Sequence, residues 1–369
     1  LAPIGTGPFR FQRMLVGDDQ IVGVVLEAFD AYFEGRPYLD EFVFRYYPTS
    51  EDALAAYNAG EVEGIGDVDG SILEAVLAEP DLSIYTAREP LLTMVYLNLN
   101  NPEVNFLQTP DFRRALMMAI NRDLIIKNVY NGQAVTANGP IMPGTWAYYT
   151  DLEQVAYDKM EAQSLFGNAG LIYDAEADVF LTEDGLEIAL TLLHPDSAEH
   201  TAIAQQIKAD WEALGINVIL DGRPYEEVLA NLEARDYQTA LVDINLTGSP
   251  DPDPYPFWGQ AQVQSGQNYA EWDNRSASEY LEQARMTVDM GERDRLYRNF
   301  QVLFMREMPS LPLFYPVYTY AITDDINGVN MGPIFEPGDR FNNVNYWYIL
   351  SGKETTTTET VETTIETGE

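Results

Sequence analysis

Two spacings of apolar residues alternate along this chain. Phe42, Phe44 and Tyr46 alternate with Val43 and Arg45, the period-two pattern of a strand. Ser50-Glu51-Asp52 then opens a helix, with Ser50 as cap and acids in the first turn, and Gly60 ends it. VEGIGD reads as a short strand. Asp69-Gly70-Ser71 looks like a second cap, ahead of the helix SILEAVLAE, which stops at Pro80. LSIYTA and LLTMVYLNLN read as strands. Further on, TAIAQQIKADWEALG places Ile203, Ile207, Trp211 and Leu214 on one helical face, Gly215 ends the helix, and INVILDG runs on as a strand. Alternating helices and strands predict an α/β architecture. No period of repeat length recurs, which argues against a solenoid.

Two stretches read as crossings between lobes. LNLNNPEVNF (97–106) carries a strand into an Asn-rich link, and in MPSLPLFYPVYTYAI (308–322) a long helix stops at proline and an aromatic strand begins. The expected division is therefore 1–104 as part of a first lobe, 105–310 as an inserted second lobe and 311–350 as the return to the first. Such a layout implies a hinge and an inter-lobe cleft. Residues 351–369, SGKETTTTETVETTIETGE, hold eight threonines and five glutamates and are expected to form a disordered tail.

Composition narrows the function. The 369 residues carry a net charge of −38, with four lysines against 59 acids, and the tail accounts for little of this. Such a surface repels phosphate backbones, so nucleic acid is not an expected partner. Cysteine is absent, which excludes disulfides, thiolate catalysis and Cys-based zinc sites. The histidines, His194 and His200, match no metal-binding spacing and read as surface residues. No GxSxG, no phosphate-cradling GxxxxGK[ST] and no metal-spaced His/Glu set occurs, so a hydrolase would have to rest on a carboxylate such as Asp251.

Several segments together resemble the extracytoplasmic solute-binding proteins of ABC transporters, family 5, which handle dipeptides, oligopeptides and nickel. These are GTGPFRF at the start, then NNPEVNFLQTPDFRRALMMAINRDLII with Asn100, Arg113, Arg114, Ala115, Leu116, Ala119, Ile120, Asn121 and Arg122. GPIMPGTWAY, ADWEALGINV, PDPDPYPFW, NYAEWDNRSASEYLEQAR and RDRLYRNFQVLFMREMPSLPLFYP follow in order. The resemblance implies a two-lobed, periplasmic-binding-protein-like fold (type II, cluster C), with the first lobe incomplete because family members carry a long segment before the GTGP turn. It further implies a monomer without cofactor or catalytic residue that captures a peptide or other small solute and delivers it to ABC permease subunits. The location implied is extracytoplasmic, periplasmic or at the cell surface, with a lipid anchor in the full-length form.

Candidate ligand-binding residues follow from this resemblance and from the chemistry of the loops. Asp67, Asp69 and Thr93 lie in segments that resemble cleft-facing ones, although Asp69 also suits a helix cap. Trp146, Tyr255, Trp258, Tyr269 and Trp272 sit in loops stiffened by proline or turns, where rings are held at low entropic cost. For Trp258 the competing reading is a core aromatic. Asn268 either hydrogen-bonds a solute or stabilises its turn. Asp251 and Asp253 lack the further ligands of a calcium loop and also suit turn capping. Peptide-binding members usually place an Asp against the ligand α-amino group. Aligned on PDPD, Gly248 occupies that position here, leaving Asp243 or Asp251 to replace it. A sensing receptor on the same scaffold and a sugar or oligosaccharide binder are the alternatives.

Overall fold

A computed structural model describes residues 5–246, 251–332 and 334–350; the Thr/Glu-rich tail and Gly248 lie outside them. In chain order the structure forms strands β1 (Phe9–Gly17), β2 (Gln20–Ala28) and β3 (Glu41–Arg45), helix α1 (Ser50–Asn58), β4 (Gly64–Ile65), α2 (Leu73–Ala78), β5 (Leu82–Arg88) and β6 (Leu91–Leu97). Next come α3 (Pro110–Ala119), α4 (Arg122–Val129), β7 (Ala134–Thr136), α5 (Lys159–Asn168), β8 (Ile172–Asp174), β9 (Val179–Leu181) and β10 (Ala189–Pro195). The chain continues through α6 (Ala198–Glu212), β11 (Asn217–Arg223), α7 (Tyr225–Ala234), β12 (Thr239–Asn245), α8 (Tyr255–Trp258), α9 (Arg275–Met286) and α10 (Met290–Glu307). It ends with β13 (Ser310–Thr323), β14 (Ile326–Asn327) and β15 (Tyr348–Ile349).

The chain divides into two compact units, one made of the residues up to Glu89 and from Val317, the other of Pro90–Pro316. In the first unit β1, β2 and β3 form an antiparallel meander, and the second half of β13 pairs with β5 and β4. Its interior has two apolar clusters, one around Tyr318, Tyr320 and Trp347, the other around Ile65, Val68, Ile72 and Val76.

The second unit is built on the sheet order β11-β10-β12-β6, followed by the first half of β13. β10 runs parallel to both β11 and β12, whereas β6 is antiparallel to β12. Every residue of β6 after Leu91 is buried, as in a strand covered on both faces. Helix α6 buries Ile203, Ala204, Ile207 and Trp211, the predicted face, and the Trp211 indole donates to the Leu116 carbonyl at 3.0 Å. Gly215 stops the run with φ +82°, and a Cβ there would lie 2.9 Å from the Asp178 carbonyl oxygen.

The Arg113–Arg122 segment is scaffold in this structure. Arg113 donates to the carbonyls of Leu107, Glu307 and Met308, and Arg122 to those of Ala137, Val155 and Pro312. Burial lowers both guanidinium pKa values to about 10. Two buried cations thus tie α3 and α4 to neighbouring loops and to the junction of α10 and β13, nearly 200 residues further on.

Three sequence expectations are corrected. Thr49, not Ser50, caps α1: its extended backbone lets the hydroxyl accept from the Asp52 amide at 3.1 Å, while the Ser50 hydroxyl donates to Asp69 at 2.6 Å. Asp69 is not the N-cap of α2, whose cap residue Ile72 has no side-chain bond; it accepts instead from the Ser71 amide at 2.8 Å, closing the turn ahead of that helix. The histidines are not surface residues. His194 is 3% exposed within β10, and His200 turns inward from the first turn of α6 onto Asp243.

Candidate functional site

In open α/β sheets, ligands bind beyond the carboxyl ends of parallel strands, where successive crossovers diverge. In the second unit β10 sends its chain to β11 on one side, and β12 lies on the other. The polar residues at that end are organised around one carboxylate. Asp243, near the end of β12, faces Thr93 of β6 in register. The Thr93 hydroxyl donates to Asp243 Oδ1 at 2.6 Å, and His200 Nε2 lies 2.9 Å from Oδ2. His200 Nδ1 is 2.8 Å from Ser197 Oγ, the cap of α6. Beside them the Tyr130 hydroxyl donates to Glu199 at 2.6 Å.

Burial opposes charging His200, but the hydrogen bond and charge of Asp243 outweigh it, and its pKa stands above the ordinary value. The Tyr130 phenol is pushed far up, by burial first and by Glu199 next. Thr93 is wholly buried, so it reaches a ligand only through Asp243, whose side chain keeps 21% of its surface exposed. The sequence reading placed His200 at the surface and did not name Tyr130 or Glu199. The available signal was the Ser197 cap three residues before a rare histidine.

The PDPDPYPFW segment is anchored rather than free. Asp251 takes both oxygens to Arg293 of α10, at 3.0 and 2.8 Å, and Asp253 pairs with Arg285 of α9 at 2.9 Å while accepting from the Tyr255 amide at 3.0 Å. Burial raises the Asp253 pKa, with the Tyr255 amide and Arg285 pulling against it. The guanidinium of Arg293 lies 4.8 Å from the Trp146 ring centre, and that of Arg285 lies 4.5 Å from the Tyr255 ring centre. Trp146 is 36% exposed and Tyr255 half-buried, so both can present a ring face. Of the two carboxylates available to replace the one missing at Gly248, Asp251 pairs with Arg293 and keeps 40% of its side-chain surface exposed, while Asp243 is held by Thr93 and His200 and keeps 21%. Gly248 itself is outside the described residues.

Besides Thr93, three of the candidate side chains are interior. Trp258 is 2% exposed and packs edge-on against Phe304 with centroids 4.7 Å apart. Trp272 joins the same cluster. Asn268, fully buried, donates to the carbonyls of Gly259 and Trp272 and accepts from the Trp272 amide, so its amide group is occupied by backbone. Tyr269 is half-buried between Tyr96 and the Arg235 guanidinium. The inward turn of Trp258 follows from α8: one helical turn after Pro254 carries residue 258 onto the core side.

In the first unit, Asp67 and Asp69 line an open depression of about 450 Å³ together with Arg45, Tyr47, Thr49, Ser50, Gly66 and Ser71. Asp69 is held by Ser50 and Ser71, whose hydrogen bonds outweigh burial and keep its pKa low. Asp67 has the opposite tendency, raised by crowding from surrounding protein and then by Asp69. Among the described residues no group of three or more His, Asp or Glu side chains is placed to hold a metal, and no helix is long and apolar enough to cross a membrane.

Residues 1–295 match the family model described as bacterial extracellular solute-binding proteins, family 5, middle. A dipeptide-binding protein of Escherichia coli is 27% identical over 335 residues, covering 90% of this chain and 60% of its own length. The chain therefore spans about three fifths of that relative. The structure of the oligopeptide-binding protein AppA of Bacillus subtilis, in complex with a nonapeptide, shares the fold at TM-score 0.67 and 23% identity, over 95% of this chain and 67% of that one. NikA of Brucella suis, in complex with Fe(III)-EDTA, does so at TM-score 0.77 and 20% identity, over 94% and 68%.

Proposed function

The chain belongs to the bacterial extracellular solute-binding proteins of family 5, and on that premise we propose that it captures short peptides outside the cytoplasm and passes them to the permease of an ABC importer. It does so as a monomer, anchored in its full-length form at the membrane surface, and without chemistry on the bound solute. Support comes from the relatives named for dipeptides and oligopeptides. The observation that carries the reading is Asp243: a part-exposed carboxylate at the carboxyl end of β12, oriented by Thr93 and His200. A carboxylate fixed by two donors is pre-organised to receive an ammonium, which lowers the cost of binding one. Trp146 and Tyr255 supply ring faces for side chains. The sugar reading draws no support from these relatives, and a sensing role would use the same capture step.

Isothermal titration with di- to pentapeptides, their N-acetylated forms, oligosaccharides and nickel chelates tests this. Free-amine peptides are expected to bind, acetylated ones more weakly, and the bound peptide to be recovered intact. Saccharide or chelate binding without peptide binding would overturn the reading, and cleaved peptide would overturn its non-enzymatic part.

A further inference from the structure

Three arginines among the described residues close the side-on edge of the guanidinium, formed by Nε and Nη2, on one carboxylate, Arg306 with Glu307 among them. Arg223 does so with Asp221 and Arg295 with Glu292. Arg340, in the first unit, does not. Its Nη1 donates to the Pro337 carbonyl, while Nε is buried without a hydrogen-bond partner and Nη2 makes no hydrogen bond among the described residues. Among the described residues no ion pair forms at Arg340, although the chain carries 59 acidic residues. A buried donor left unmatched in this way is costly and calls for an acceptor.

The surroundings hold the guanidinium in place. Its centre lies 4.2 Å from the Phe341 ring centre, 5.7 Å from Tyr318 and 5.8 Å from Tyr320. The Tyr318 hydroxyl donates to the Gly66 carbonyl, which fixes the strand of backbone beneath. Gly66 lets the guanidinium approach its backbone: a Cβ there would stand 3.3 Å from Nη2. The same glycine lines the 450 Å³ depression. Asp67, next in sequence, feels the Arg340 charge but forms no ion pair with it.

We propose that Arg340 is a ligand-contact residue: its unmatched Nε/Nη2 edge, beside Gly66, takes a carboxylate of the solute. A planar fork fits a planar carboxylate through two parallel bonds, and Arg is suited to this where Lys is not. For a peptide the group is its terminal or side-chain carboxylate, and in that form the inference rests on the peptide reading above. Seating requires the carboxylate to reach the Nε side, past the rings that cover it.

Two measurements separate the possibilities. In the wild-type protein, the Arg340 side-chain Nε–H signal, assigned by its loss in Arg340→Gln, is followed by NMR during titration with N-acetylalanine. This probe has a carboxylate and no amine. A saturable downfield shift is expected, and an unmoved signal would overturn the proposal whether or not peptides bind. Peptides with free and amidated C-termini are then compared by titration calorimetry. The free carboxylate is expected to bind about tenfold tighter, equal to about 1.4 kcal/mol. Arg340→Gln should erase that preference, and Arg340→Lys, which keeps the charge but not the fork, should retain part of it. Peptide binding with no carboxylate preference, or a preference that survives Arg340→Gln, would refute the role of Arg340 while leaving the peptide reading intact. Failure of every peptide to bind would refute the peptide reading, and the N-acetylalanine titration would still decide on Arg340.

Discussion

Replacing Asp243 by Asn probes the second unit's polar cluster most directly, because the chain has only two histidines and one of them reports on this carboxylate. His200 is 14% exposed and Asp243 21% at the side chain, so their contact at 2.9 Å is weakly screened. Asn keeps one carbonyl oxygen for the Thr93 hydroxyl but turns a donor toward His200 Nε2, and it removes the negative charge. A hydrogen bond to a charged group contributes about 1.5–3 kcal/mol, the range expected for the loss where His200 is protonated. The direction with pH follows from linkage. His200 has a folded-state pKa raised above its unfolded value, so its stabilisation is fully present below the unfolded pKa and is lost as pH rises through the folded one. Wild type and Asp243→Asn should therefore differ most near pH 5.5–6 and converge toward pH 8.5, leaving only the neutral hydrogen-bond loss of about 1 kcal/mol. Imidazole NMR titration gives the pKa, and urea unfolding at the two pH values gives the stability difference. Groups facing the ring are Asp243 from β12, Glu199 and Ser197 at the start of α6, and Tyr130 at the end of α4. Glu199 still supports the charged ring once Asp243 is replaced, so a small residual upward pull in the variant is allowed. A wild-type His200 that titrates at or below the ordinary value, or a stability gap that widens with pH, would refute the reasoning.

Other substitutions separate core from surface. Trp258→Ala should cost about 3–5 kcal/mol in urea unfolding, as expected for a truncated buried aromatic, and a near-neutral result would show the ring is not core. Asn268→Ala takes the donor from the buried Trp272 carbonyl and the acceptor from the Trp272 amide, while the Gly259 carbonyl keeps the Gln262 amide, and should cost about 1–3 kcal/mol in the same assay; an unchanged midpoint would show that the turn holds without it. Trp146→Ala removes a part-exposed ring from Arg293 and should cost only about 0.5–2 kcal/mol of stability, with a larger proportional loss in peptide affinity by calorimetry. Arg122→Met should lower the thermal midpoint strongly, since it strips the donor from three main-chain carbonyls, and a rise in midpoint would show that the buried charge outweighs those bonds.

Much of the fold was legible because its signals are local. The face of α6, the glycine that ends it and the buried run of β6 each follow from backbone sterics and apolar spacing within a few turns of chain. Even there, the cap of α1 was misplaced by one residue, since Thr49 and Ser50 carry equivalent hydroxyls and only the backbone angles at Thr49 decide between them. The in-order motifs carried the family as well. What remained hidden are partnerships between residues far apart. Asp251 meets Arg293 across 42 residues, and Thr93 meets Asp243 across 150. The second contact exists because β12 and β6 pair in one register, which puts both side chains on the same face; a slip of one residue would send them to opposite faces. Nothing in the local spacing of either strand encodes that choice. It comes from packing the whole sheet, which is why the sequence named Asp243 only as one of two substitutes, read His200 as a surface residue and passed over Arg340.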